Sequence, residues 1–132
     1  MTRGRFFDTN IALYLLVGDD IKADRAENLL AEGGTISVQV LNEFVAVARR
    51  KGATPWLKIE ETLSALKHVC EVEPLTTETH ERALALAKRY GFPIYDATIA
   101  ASALLAGCKT LYSEDFRHGQ TFDGLTVQNP FC

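Results

Sequence analysis

Cysteine is scarce in this chain. Cys70, Cys108 and Cys132 are an odd number at wide spacing with no Cys-x-x-Cys pair, which excludes a disulfide framework and points to a reducing compartment. His68, His80 and His118 are scattered, and no Cys/His pair has the spacing of a zinc site. Long apolar runs are missing as well. None approaches the ~20 residues that span a bilayer. No apolar stretch follows the basic residues of Met1-Thr2-Arg3-Gly4-Arg5, so neither a membrane span nor a secretory leader is expected. The expectation is a cytoplasmic protein. No Gly-rich loop ends in Gly-Lys-Ser/Thr, which disfavours a nucleoside triphosphatase. No Gly-x-Ser-x-Gly elbow occurs, which disfavours an α/β-hydrolase. Repeats, linkers and low-complexity segments are absent. A surplus of positive charge is lacking too. The 14 Lys and Arg against 17 Asp and Glu give a net charge of −3, which argues against a nucleic-acid binder that works through one basic surface.

What remains is an ordinary globular composition. With 132 residues, 47% hydrophobic and 23% charged, the chain fits a single domain over residues 1–132 and can bury a core without staples. Short apolar runs alternate with amphipathic stretches, the pattern of an α/β fold with a parallel sheet. Arg5-Phe6-Phe7, Thr35-Ile36-Ser37, Glu71-Val72-Glu73, Thr110-Leu111-Tyr112 and Leu125-Thr126-Val127 read as strands. Helices are expected from Asn10 to Val17, stopped by Gly18, and from Ile21 to Glu32, stopped by Gly33-Gly34. A third runs from Val38 to Lys51, with Val38, Leu41, Val45 and Ala48 as its buried face and Gly52 at its end. Thr54 reads as the cap of a fourth, with Pro55 at its first position and Trp56, Ile59, Leu63 and Leu66 as its core stripe. Glu78 to Tyr90 and Asp96 to Ala106 complete the set.

Parallel strands joined by helical crossovers bind ligands at their carboxyl ends. The polar residues expected there are acids. Asp8 directly follows Phe6-Phe7, and Asp115 lies just past Leu111-Tyr112. Asp96 opens a helix after Phe92-Pro93-Ile94-Tyr95, and Glu43 lies on the polar side of the third helix. Each has a plain alternative. Asp8 can end a strand or cap a helix, Asp96 can be an N-cap, Glu43 can be a solvated helix residue, and Glu114-Asp115 can be a turn. Together they mean more, because carboxylates placed on one edge repel unless they hold a cation. Hard oxygen ligands without histidine or thiolate suit Mg²⁺ or Mn²⁺, and the chemistry such a site serves is phosphoryl transfer.

Four segments resemble the motifs of PIN-domain nucleases, in the same order. They are Phe6-Phe7-Asp8-Thr9-Asn10-Ile11, Ser37-Val38-Gln39-Val40-Leu41-Asn42-Glu43-Phe44, Tyr95-Asp96-Ala97-Thr98-Ile99-Ala100-Ala101-Ser102-Ala103 and Leu111-Tyr112-Ser113-Glu114-Asp115-Phe116. The resemblance runs from Arg5 through Asn129-Pro130-Phe131 and is nearest to VapC-type toxins of VapBC toxin–antitoxin pairs. It implies a three-layer α/β/α PIN-like fold with a central parallel sheet, and a Mg²⁺- or Mn²⁺-dependent endoribonuclease acting as a toxin. By resemblance, Asp8 and Asp96 are the principal metal ligands. Glu43 and Asp115 complete the catalytic acidic cluster, partly through water, and Asn10 and Ser113 orient ligands or water from behind. Of the adjacent Glu114 and Asp115, Asp115 has the family's place relative to Ser113. An RNA substrate, a VapB-type antitoxin and a homodimer are the implied partners. The products would carry a 5′-phosphate and a 3′-hydroxyl. The rival readings are a receiver-like phosphoacceptor module and a PIN domain used only for binding. A receiver calls for an acidic pair after the first strand, whereas Asp8 stands alone. Arg117 and His118 follow Asp115 closely, and contact with a phosphate is one reading of them beside that of plain surface residues. Arg49-Arg50-Lys51 and Lys88-Arg89 are sufficiently explained as helix C-terminal charges.

Overall fold

The structure, a computed structural model, describes residues 4–17, 19–51 and 53–132. The stop signals expected at Gly18 and Gly52 lie outside these residues. In chain order the elements are β1 (Arg5–Phe7), α1 (Thr9–Val17), α2 (Asp20–Ala31), β2 (Gly34–Ser37), α3 (Val38–Lys51) and α4 (Trp56–Val69). They continue as β3 (Cys70–Glu73), α5 (Thr77–Tyr90), α6 (Ile94–Leu105), β4 (Thr110–Tyr112), β5 (Thr121–Phe122) and β6 (Leu125–Gln128). The six strands form one sheet in the order β3-β2-β1-β4-β6-β5. All pairs are parallel except β5 with β6. Helices pack around this sheet as the outer layers of a three-layer α/β/α fold, and the core between them is built on Phe6, Phe7, Phe44, Ile36, Ile99 and Leu111.

The order of the strands fixes where a ligand can sit. From β1 the chain moves outward to β2 and β3, then crosses back to place β4 on the other side of β1. The crevice between the carboxyl ends of β1 and β4 is therefore the topological switch point. Phe7 pairs with Tyr112 at the last register position, so Asp8 and Ser113 emerge side by side. The approach of β2 to β1 depends on glycine. A Cβ at Gly34 would lie 2.6 Å from the Phe7 ring and 3.0 Å from the Arg5 carbonyl oxygen, so a side chain there would push against the strand that delivers Asp8.

Five details differ from the sequence reading. The buried face of α3 is Val40, Phe44 and Ala48, while Leu41 and Val45 are only partly buried. Phe44 offers the largest apolar surface on that helix and takes the centre of the stripe, which turns the helix by about one residue. Helix α4 is capped by Pro55, with no side-chain cap bond from Thr54. The Arg49 guanidinium instead holds the Thr54 carbonyl at 2.9 Å. Trp56 is not in the core. It is 55% exposed, and its ring carries the Arg49 guanidinium at 4.6 Å. Helix α6 starts two residues before Asp96, because the Ala97 N–H donates to the Pro93 carbonyl at 2.9 Å and closes the first turn there. Finally, Thr121–Phe122 pairs antiparallel with β6 through a two-residue turn whose Asp123 and Gly124 both have positive φ, 51° and 86°. That is the Asp-Gly hairpin geometry.

Candidate active site

Asp8 is 2% exposed at the end of β1. Its Oδ1 accepts the Thr9 N–H at 2.6 Å, and its Oδ2 accepts the Ser113 hydroxyl at 2.6 Å. Two short bonds to a carboxylate favour its charged form, yet burial outweighs them. Desolvation, with further repulsion from Asp115 and Asp96, pushes the Asp8 pKa up to about 7. Among the described residues no basic side chain pairs with it. Among the described residues the salt bridges are Arg5–Glu32 and Lys22–Glu114, and neither involves the four predicted acids.

The other acids face the same crevice. Asp96 is the third residue of α6, and desolvation followed by the charges on Asp115 and Glu43 pushes its pKa up to about 6. It is not a cap. Pro93 holds the cap position, and an acid in the first turn is favoured by the helix dipole whatever else it does. Glu43 flanks the buried stripe of α3, beside Phe44, and is half-buried. The rotation of α3 toward Phe44 brings it there. The Thr9 hydroxyl donates to Glu43 Oε1 at 2.7 Å and ties α3 to the start of α1. Asp115 is exposed on the loop after β4. Desolvation, Glu43 and Glu114 raise its pKa while Asn10 lowers it, and solvent access tempers the effect.

Ser113 organises the middle of the site. It is fully buried and donates to Asp8, and its oxygen accepts the Asp115 N–H at 2.9 Å. One hydroxyl thus ties the Asp8 carboxylate to the Asp115 backbone. Asn10 Oδ1 accepts the Glu114 N–H at 3.4 Å, and its Nδ2 is buried without a hydrogen-bond partner. These are the contacts made by Asn10 and Ser113, the two residues expected from the sequence to support the acids. His118 Nδ1 accepts the Asn129 N–H at 3.0 Å, so one ring nitrogen serves a turn. Thr9 was not singled out from the sequence, although its place beside Asp8 in the first motif was the available signal.

Among the described residues no three His, Cys, Asp or Glu side chains converge closely enough to hold an ion directly. A small divalent cation that keeps several waters spans such gaps. The donor set fits one: all oxygen, no thiolate or imidazole, and a buried carboxylate in no salt bridge among the described residues.

The PIN domain family profile matches residues 5–121. The chain belongs to the PIN domain family. The match takes in Asp8, Glu43, Asp96 and Asp115 together with both supporting residues. No curated protein sequence matches the chain. Among solved structures, a chain of a toxin–antitoxin complex from Klebsiella pneumoniae superposes with a TM-score of 0.72 at 24% identity, covering 96% of this chain and 97% of that one. A VapC toxin of Mycobacterium tuberculosis that cleaves the sarcin–ricin loop has a TM-score of 0.67 at 25% identity, covering 84% and 89%. A chain of the Rickettsia felis VapBC2 complex, bound to a DNA fragment from its promoter, has a TM-score of 0.67 at 20% identity, covering 95% and 97%. The PIN fold runs through nearly the whole length of these neighbours.

Proposed function

We propose that this PIN domain is a Mg²⁺- or Mn²⁺-dependent endoribonuclease and the toxin of a VapBC-type pair. The observation that carries the reading is Asp8: a buried carboxylate at the switch point, gripped by two hydrogen bonds, repelled by its acidic neighbours and, among the described residues, in no salt bridge. Burying a charge in that way costs free energy that a ligand must repay. Asp8 and Asp96 would hold the metal, with Glu43 and Asp115 reaching it partly through water. When bound, the ion would polarise the scissile phosphate and supply an activated water.

The chain's own groups do the positioning. Ser113 fixes Asp8 and the Asp115 backbone, which keeps two of the acids in register across β1 and β4. Thr9 occupies Glu43 Oε1 and leaves Oε2 free to accept a proton from an attacking water. Asn10 ties the loop after β4 to α1. In-line attack would leave a 5′-phosphate and a 3′-hydroxyl. The partner reading follows the same neighbours. A VapB-type antitoxin would hold the enzyme inactive, and the apolar groove of about 420 Å³ lined by Leu15, Ala23, Leu30, Leu66 and Val69 is a place for it. A homodimer is the expected assembly.

The test is the purified protein on a panel of structured RNAs that includes a sarcin–ricin loop, in Mg²⁺ and then in EDTA. Cleavage that needs the metal and disappears in Asp8→Asn supports the reading. Cleavage equal in EDTA, or equal in the variant, refutes it.

A further inference from the structure

Beside the acidic cluster, Tyr14, Lys22, Glu114 and Phe131 form a group of their own. The Tyr14 hydroxyl on α1 donates to Glu114 Oε1 at 2.5 Å. Lys22 Nζ on α2 lies 3.4 Å from Glu114 Oε2 and donates to the Tyr14 hydroxyl at 3.2 Å. The same ammonium sits over the rings of Tyr14 and Phe131, at 4.9 and 5.6 Å from their centroids. The two rings meet edge to face with centroids 4.8 Å apart. Both Glu114 oxygens are thus engaged, by partners from two helices and beneath a ring from the end of the chain.

Glu114 and Asp115 are neighbours in sequence, and either carboxylate could be offered to a cation. The geometry separates them. The loop is pinned on its cluster side by Ser113, whose hydroxyl bridges Asp8 and the Asp115 N–H, and by Asn10, which accepts the Glu114 N–H. It is pinned on its outer side by Tyr14 and Lys22. The rings of Tyr14 and Phe131 attract the same ammonium and so add to its hold on the carboxylate.

We propose that Tyr14 and Lys22 are positioning residues that hold Glu114 out of the acidic cluster and fix the 113–115 loop so that Asp115 is the acid it presents. The inference rests on the metal-dependent reading above. Without Lys22, the Glu114 carboxylate keeps only the Tyr14 bond. It then competes with Asp115 for the same ion or repels it, and the loop loses one of its two outer anchors.

The experiment titrates Mg²⁺ against thermal unfolding and, separately, against RNA cleavage. The proteins are the parent, Asp115→Asn, Glu114→Gln, Lys22→Met, Lys22→Arg and the double variant Lys22→Met/Glu114→Gln. Asp115→Asn is expected to lose about tenfold or more in cleavage rate and to shift the Mg²⁺ midpoint upward. Glu114→Gln keeps an oxygen for the Tyr14 hydroxyl and stays nearer the parent on both readouts. Lys22→Met raises the Mg²⁺ midpoint in unfolding by about tenfold and lowers kcat more than it changes KM. Lys22→Arg restores both, and the double variant is milder than Lys22→Met because no misplaced charge remains. Glu114→Gln as damaging as Asp115→Asn would overturn the inference, and so would a folded Lys22→Met with an unchanged Mg²⁺ midpoint. In either case, a parent that still cleaves RNA with Mg²⁺ keeps the nuclease reading. A parent that neither cleaves nor shifts with Mg²⁺ brings down that reading and this inference with it.

Discussion

Replacing Asp8 by asparagine should stabilise the metal-free protein at alkaline pH while removing its function. The Asp8 pKa stands at about 7 in the folded chain against 3.8 for an ordinary aspartate. The folded state therefore holds the proton more tightly than the unfolded state between those values. Stability is greatest below the lower one, falls as pH rises through the window, and is flat above the higher one. The difference corresponds to a penalty on the order of 4 kcal/mol at pH 8. Asparagine removes the charge and keeps an oxygen for the Thr9 N–H. It loses the acceptor for the Ser113 hydroxyl, which returns about 1 kcal/mol of cost. The net expectation is a gain of about 2–3 kcal/mol at pH 8 and almost none near pH 4. Urea unfolding of both proteins in EDTA at the two pH values measures this directly, since taking the difference removes titrations common to both. With excess Mg²⁺ the order should reverse at pH 8, because only the parent gains from an ion that binds the folded state. Equal stabilities across the pH range in EDTA would refute the account of Asp8 as a buried carboxylate under strain from its neighbours.

Asp96 is a first-turn residue and not a cap, so Asp96→Asn should hold or raise stability in EDTA and lose most of the Mg²⁺-induced rise in Tm, as read by thermal unfolding in both buffers. Ser113→Ala removes a donor to Asp8 and an acceptor for the Asp115 N–H at once. It should cost about 1–3 kcal/mol in urea unfolding and about 10- to 100-fold in cleavage rate. Thr9→Val should lower kcat by freeing Glu43, and Thr9→Ser should recover it, in steady-state cleavage of the same RNA. Gly34→Ala drives a Cβ into the Phe7 ring and should destabilise the fold by about 1–3 kcal/mol in the same unfolding assay.

Much of this architecture could be read from the chain before any coordinates. The strands that flank the site are short runs such as Arg5-Phe6-Phe7 and Thr110-Leu111-Tyr112, bounded by polar or glycine residues, and they lie where their composition puts them. The hairpin at Asp123-Gly124 carries a turn signal, but two residues of strand on one side are too few for a period to show. Helix ends and helix faces were harder. Aspartate is so good an N-cap that Asp96 drew the helix start to itself, whereas the bond that closes the first turn comes from the Pro93 carbonyl, a backbone event with no side-chain mark.

The face of α3 matters most for function, and periodicity alone could not choose it. Val38, Leu41 and Val45 make a credible stripe, and so do Val40, Phe44 and Ala48 one residue round. The choice is made by volume. Phe44 fills the core fully, and a stripe that left it in solvent would expose the largest apolar side chain on the helix. Glu43 precedes Phe44, so the rotation that buries the ring carries the carboxylate from the solvent side to the flank of the helix. There the Thr9 hydroxyl meets it at 2.7 Å. Core packing and site geometry are therefore coupled at adjacent positions. Phe44→Ala should create a cavity costing about 3–5 kcal/mol. It should also loosen the angle at which Glu43 faces the crevice, while Phe44→Leu preserves most of both. Measuring unfolding free energy alongside cleavage separates the two effects. If Phe44→Leu kept full stability but lost activity as severely as Glu43→Gln, the ring would be acting on the site by some route other than the rotation of the helix.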